Sequence, residues 1–183
     1  MKKLITILLI LSLTLSGVLA LSSCDDDGGN NHNDIGLSYY VPEDWEKLTV
    51  QYADHAYTNG EAHIEIDAQS YEELAEGTYN DMPDPWPTNV YDYVRQFVLY
   101  NSLPLSDYVY DEEKDVAYID FEFEYPAEAG NMPDEYLLYV FMDNGEAIFV
   151  ITYYCEVKYR ETYEPLFHRW REMLQLRIVK EKD

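Results

Sequence analysis

Basic residues are what this chain has least of. Its 183 residues include 12 Lys and Arg against 36 Asp and Glu, a net charge of −24. A body so acidic repels phosphate backbones, because the electrostatic term that dominates nucleic-acid binding has the wrong sign. Anionic lipid surfaces are repelled for the same reason. Cysteine is also nearly absent. Cys24 and Cys155 are the only two, and if one is engaged elsewhere no disulfide remains to brace the fold. A P-loop, a Rossmann glycine pattern and a zinc-site spacing are all missing. Asp25-Asp26-Asp27-Gly28 sets its aspartates side by side, with no Glu before Asp34. A high-affinity calcium loop needs alternating ligands closed by a bidentate Glu, so that chemistry is excluded as well.

The first stretch is informative. Lys2 and Lys3 precede an apolar run from Leu4 to Leu21, and the small residues Ser22 and Ser23 stand before Cys24. A positive start, an apolar core and a small-residue exit make a secretory signal peptide. A single-pass helix is the competing reading, but the run is barely the roughly 20 residues needed to span, and its outer end is acidic. Leu21-Ser22-Ser23-Cys24 resembles the lipobox of bacterial lipoproteins. That resemblance implies cleavage between Ser23 and Cys24 and a diacylglycerol on the Cys24 sulfur, a covalent lipid being the only prosthetic group expected. An ordinary signal peptide followed by an accidental Cys is the alternative. One acyl chain holds a membrane marginally, at about 0.8 kcal/mol per buried methylene, and two or more hold it stably. The expected location is the extracytoplasmic face of the cell membrane, or the outer membrane where the host has one.

Residues 24–34 contain no large apolar side chain and read as an acidic, flexible tether, with a reach on the order of 17 Å. Residues 35–183 read as one domain, since 47% apolar residues and 19 Tyr are the reverse of a disordered composition. Ile35–Val41 reads as a strand, Lys47–Asp54 as a second and Ala62–Ala68 as a third, with a turn at Thr58-Asn59-Gly60. A long loop carrying Pro83, Pro85 and Pro87 follows. Then come a helix from Val90 to Asn101 capped by Thr88 or Asn89, strands at Ser106–Tyr110 and Val116–Tyr125, and a hairpin of Glu135–Met142 and Glu146–Cys155 across Asp143-Asn144-Gly145. The hairpin strands are apolar on both faces, as central strands are. A final helix is expected from Glu161 to Val179, burying Tyr163, Leu166, Phe167, Trp170, Met173, Leu174 and Ile178. Pro165 is tolerable only in its first turn. Hairpins covered by helices make an α+β fold, an α-β-α sandwich on a mainly antiparallel sheet of six to seven strands.

Gly36-Leu37-Ser38-Tyr39-Tyr40-Val41-Pro42-Glu43-Asp44-Trp45 resembles the opening of PsbP-like proteins: an aromatic strand, a Pro turn, then Trp. The element order from Ile35 to Ile178 is similar too. The resemblance implies an α-β-α sandwich and relatives that include extrinsic photosystem II subunits, a Ran-binding protein and many bacterial lipoproteins. It brings no catalytic set, and the Asp81–Pro87 loop looks like an insertion.

Candidate chemistry is thin. Glu61, His63, Glu65 and Asp67 point to one side of a strand, with about 7 Å between alternate residues. His63, Glu65 and Asp67 could share a hard cation with help from a neighbouring strand; a solvated acidic face is the favoured reading. His55 lies in a loop and His168 on the last helix, neither beside a Ser or Cys that would suggest a triad. Cys155 ends an apolar run and reads as a buried hydrophobe rather than a nucleophile. The loop holding Asp81, Asp84 and Trp86 is a candidate ligand-binding loop, its prolines presetting Trp86 to stack on a sugar or peptide; a Trp folded down as a lid on the core is the alternative. The expected role is a non-enzymatic binding or accessory module of the envelope, with an unknown protein, peptide or glycan partner and no nucleic acid. The alternative is an envelope hydrolase or metal-dependent enzyme built on His63, Glu65 and Asp67.

Replacing Cys24 with Ala is expected to leave the precursor unlipidated, changing its mass and its retention in the membrane fraction. Mass spectrometry and fractionation check both, and an unchanged mass with unchanged retention would refute lipidation.

Overall fold

The computed structural model describes residues 31–32, 36–75, 87–103, 108–112, 114, 116–126, 130 and 132–176. The Cys24 and Ser23 assignments, and the loop with Asp81, Asp84 and Trp86, lie outside these residues. In chain order the strands are β1 (Asn31–His32), β2 (Leu37–Tyr40), β3 (Glu46–Leu48), β4 (His55–Thr58) and β5 (Ala62–Ser70). Helices α1 (Tyr71–Ala75) and α2 (Val90–Tyr100) follow, then β6 (Val109–Asp111), β7 (Val116–Phe123), β8 (Glu135–Asp143) and β9 (Ala147–Glu156). A 3-10 turn, Val157–Tyr159, leads into α3 (Arg160–Met173), and β10 (Gln175–Leu176) ends the described chain. Among the described residues no helix is long and apolar enough to cross a membrane.

Seven strands form one antiparallel sheet in the order β3-β4-β5-β9-β8-β7-β6. Two of its hairpins are closed by the same local chemistry. In Thr58-Asn59-Gly60-Glu61-Ala62, Asn59 Oδ1 accepts the N–H groups of Glu61 (3.1 Å) and Ala62 (3.0 Å). In Asp143-Asn144-Gly145-Glu146-Ala147, Asn144 Oδ1 accepts those of Glu146 and Ala147, both at 2.9 Å. Each turn puts its glycine at positive φ, 88° at Gly60 and 87° at Gly145, where a Cβ would be strained.

The central strands are apolar on both sides, so both faces must be covered. On one, Tyr136, Leu138, Val140, Ile64, Ile66, Ile151 and Tyr153 meet β2 and α3. Phe167 is fully buried there, its ring 5.5 Å from Tyr153, 6.3 Å from Tyr136, 5.9 Å from Tyr163 and 5.7 Å from Trp170. On the other face, Ala117, Ile119, Phe141 and Ile148 meet Leu74 of α1 and Val90, Tyr93, Val94 and Val98 of α2. Asn89 caps α2, its Oδ1 accepting the Asp92 N–H at 2.9 Å.

Several expectations need correction. The strand expected over Lys47–Asp54 pairs only at Glu46–Leu48, after which the chain leaves the sheet edge and Tyr52 turns toward Glu65. His55 begins β4 rather than lying in a loop. The last helix stops at Met173, because Leu174 turns extended (ψ 135°) and the next two residues pair with β2. Met173 is consequently 41% exposed instead of buried. Pro165 stands beyond the first turn of α3, which starts at Arg160 and forgoes one backbone hydrogen bond there. Ordered backbone also begins upstream of Ile35: Asn31 and His32 pair with Tyr40 and Tyr39, within the stretch read as tether.

Phe167→Ala is expected to cost about 3–5 kcal/mol in urea unfolding, as full truncation of a buried aromatic does. Leu99→Ala, at a site 55% exposed, should stay within about 0.5 kcal/mol in the same measurement.

Candidate functional site

The period of two in β5 sends Ala62, Ile64 and Ile66 to the α3 side and His63, Glu65, Asp67 and Gln69 to the α2 side. Strand register then decides their neighbours. His63 lies beside Tyr154 and Glu65 beside Thr152 on β9, and Leu137 of β8 lies beyond Tyr154. Helix α2 engages one end of this face, where the Tyr93 hydroxyl donates to Gln69 Oε1 at 2.7 Å. At the other end polar groups collect.

Glu65 accepts two tyrosine hydroxyls, from Tyr154 at 2.8 Å and Tyr52 at 3.1 Å. Glu135, only 4% exposed, accepts the Tyr125 hydroxyl at 2.9 Å. The His63 ring stacks on Tyr154, centroids 4.6 Å apart and nearly parallel at 6°. Its Nδ1 is buried without a hydrogen-bond partner among the described residues. Burial dominates the electrostatics of all three groups. It raises the Glu65 carboxyl against the pull of its two tyrosine bonds. It pushes Glu135 up to about 7, the Tyr125 bond opposing and the charges of Glu65 and Glu156 adding. It lowers His63 to about 4. Tyr154 and Tyr125 are raised by burial and then by the carboxylates they bond. At neutral pH the face therefore holds protonated phenols, a neutral imidazole, and a carboxyl that exchanges its proton.

Of the row expected to be a solvated acidic face, His63, Glu65 and Asp67 are thus packed and half-buried, while Glu61 is exposed in the preceding turn and accepts the Tyr163 hydroxyl of α3 at 3.0 Å. His63, Glu65 and Asp67 share that face but are already committed to neighbours: His63 and Glu65 both contact Tyr154, and Asp67 accepts the Gln69 side-chain amide at 2.7 Å. They do not assemble as a metal set. Cys155 faces the opposite side, where burial and then the charge of Glu135 push its thiol up to about 12. It stays a protonated core residue at neutral pH. Sequence reasoning missed Glu135, Tyr52, Tyr125 and Tyr154. Glu135 reads locally as the polar first residue of a strand, and only the register across β9 brings its charge within influence of Glu65.

A solved structure of cyanobacterial PsbP from Synechocystis sp. PCC 6803 has the same arrangement. It matches over 85% of this chain and 98% of that one, with a TM-score of 0.52 and 12% identity. The fold is PsbP-like. A crystal structure of a Bacteroides thetaiotaomicron protein matches 85% of this chain with a TM-score of 0.50 and 12% identity. The chain spans 50% of that protein's length. No protein-family model matches the chain, and no curated sequence does. At this identity the likeness is one of fold alone, and it carries no site residues to the PsbP-like sheet described above.

The pH dependence of stability follows from the two opposed shifts. Glu135, raised from 4.5 to about 7, holds a proton when folded that unfolding releases. Its contribution is present below pH 4.5 and lost as pH rises through 7. His63, lowered from 6.5 to about 4, acts in reverse: its contribution is present above 6.5 and lost as pH falls toward 4. Glu135→Gln keeps an acceptor for Tyr125 and removes the first effect. Urea midpoints should therefore show the variant gaining stability over wild type at pH 8 relative to pH 5. Equal differences at both pH values would refute the buried-acid account.

Proposed function

We propose that the chain is a lipid-anchored extracytoplasmic module that binds a partner or assists an assembly in the cell envelope, and that it is not an enzyme. The observation that carries this reading is how the sheet's polar groups are used. Glu65 is engaged by Tyr52 and Tyr154, Glu135 by Tyr125, and Asp67 by Gln69. The Ser70 hydroxyl that donates to Glu73 forms a reciprocal helix cap at α1 rather than a nucleophile–base pair oriented by a third group, and Cys155 is held as a thiol. Nucleophilic catalysis requires such a pair. The same commitments weaken a metal-dependent enzyme built on His63, Glu65 and Asp67.

The leader and Leu21-Ser22-Ser23-Cys24 support the anchor, with residues 1–23 removed, a short acidic spacer, and a single domain after it. The charge of −24 supports a body that stands off an anionic membrane surface. The Asp81–Pro87 loop, with Asp81, Asp84 and Trp86, is the segment we assign to partner contact, the partner being a protein, peptide or glycan. Affinity purification of the full chain from cross-linked, detergent-solubilised membranes tests this. A partner recovered in constant ratio and depleted at least tenfold by Trp86→Ala is the expected result. Recovery of the chain alone, or a partner indifferent to Trp86, would overturn it.

A further inference from the structure

On the α3 face of the sheet a second cluster forms, unrelated to the residues of the preceding site. We propose that Asp120, Glu164 and His168 bind a divalent first-row transition ion, Zn2+ being the representative. Asp120 points from β7 toward α3, and Glu164 and His168 stand one helical turn apart on that helix. One donor atom from each lies within 4.8 Å of both others. Ligands about 2.1 Å from a tetrahedral ion sit roughly 3.4 Å apart, so small rotamer adjustments close the set around a cation. All three residues are half-buried, which leaves the position reachable from solvent.

The surrounding groups orient these donors. The Tyr136 hydroxyl lies 3.3 Å from Asp120 Oδ2 and 3.4 Å from His168 Nε2. It donates to Asp120 and can accept from His168 Nε2–H in one tautomer; in the other, Nε2 carries a lone pair that a cation can take together with Asp120. Arg160 grips Glu164 through Nε at 2.7 Å and a terminal nitrogen at 3.2 Å. A carboxylate offers about four lone-pair positions, so this fork fixes Glu164 and leaves it capacity to ligate. The guanidinium charge opposes a cation, but Arg160 is also paired with Glu122, which offsets it. The chain's overall negative field favours cation capture.

The donor set selects the ion. Calcium takes oxygen ligands throughout, whereas an imidazole with two carboxylates suits zinc and its neighbours. Three protein donors leave at least one coordination position for water or a donor from a bound molecule. Nothing in this assignment depends on lipidation or on the Trp86 loop.

The test uses the full chain in detergent, stripped with chelator and titrated calorimetrically with Zn2+ alone and with Ca2+ alone. One saturable Zn2+ equivalent is expected, weakened at least about tenfold in both His168→Gln and Asp120→Asn. His63→Gln should bind as wild type does. Matching circular dichroism and thermal curves for the metal-free variants establish that they are folded; a variant that fails this comparison is replaced by His168→Asn or Asp120→Ser. Absence of saturable Zn2+ binding, equal affinity in the folded variants, or Ca2+ binding as tight as Zn2+ would each overturn the assignment.

Discussion

Strands β8 and β9 carry apolar side chains on both faces, and a sheet centred on them must be covered twice. Tyr136, Leu138 and Val140 are buried on one side while Leu137 and Phe141 are buried on the other. No solvated face is available to either strand, which distinguishes this sheet from the antiparallel sheets that keep one side wet. The remaining described elements follow from that demand. Strand β2 and α3 close one side through Leu37, Tyr39, Phe167 and Trp170, and α1 and α2 meet the other through Leu74, Val94 and Val98. The edge strands β3 and β6, three residues each, need no second cover and are short enough to discourage pairing with other chains.

The two coverings differ in chemistry, and the composition explains why. On the α3 side the aromatic rings around Phe167 and Trp170 pack with one another. On the α2 side rings pack too, Phe97 against Tyr139 and Phe141, but the sheet there also buries the carboxyls of Glu65 and Glu135. A chain with 12 basic residues for 36 acidic ones has few cations to spare. Among the described residues neither Glu65 nor Glu135 is in an ion pair. Tyrosine supplies what is missing, since one side chain brings a large apolar body and a hydroxyl that satisfies a carboxylate oxygen. The abundance of Tyr is therefore coupled to the scarcity of Lys and Arg. Such neutral donors offset desolvation less completely than a guanidinium would, which is why the Glu135 carboxyl rises to about 7.

Much of the architecture was legible where local chemistry decides it. Asn59-Gly60 and Asn144-Gly145 announced their hairpins, Thr88-Asn89 a helix cap that the structure gives to Asn89, and the doubly apolar run at Ala147–Cys155 a central strand. The seven-stranded antiparallel sheet between helices agrees with the fold class read from the chain, although the strand read first, β2, pairs outside it with β1 and β10, and β4 makes up the seven. Misreadings occurred where two local preferences competed for tertiary partners. Helical periodicity continues past Met173, but β2 offers open backbone groups that Gln175 and Leu176 take instead. Alternation through His63, Glu65 and Asp67 fixed which residues share a face; it carried no information about what lies above that face. Acidic identity suggested solvent, and tyrosines distant in sequence overruled it. Glu164 and His168, by contrast, had a readable spacing of one helical turn, and only Asp120 required the fold.

The two acidic groupings meet the same difficulty in different ways, and the difference lies in what each face can supply. Near Glu65 and Glu135 the neighbours are phenols and a buried imidazole, so burial raises both carboxyls and, at Glu135, favours retaining a proton. Near Glu164 the exposed start of α3 supplies Arg160, which can reach both Glu164 and Glu122 because it stays in contact with water. That leaves Asp120 and His168 to a single shared hydroxyl, on a face where burial is incomplete and a hydrated ion can enter. A proton is the natural counter-charge for the dry carboxyls, since it needs no space. A cation suits the wetter cluster, since the donors are spaced for one and water can complete its coordination. Burial, more than the identity of the acids, thus assigns the two clusters their different counter-charges.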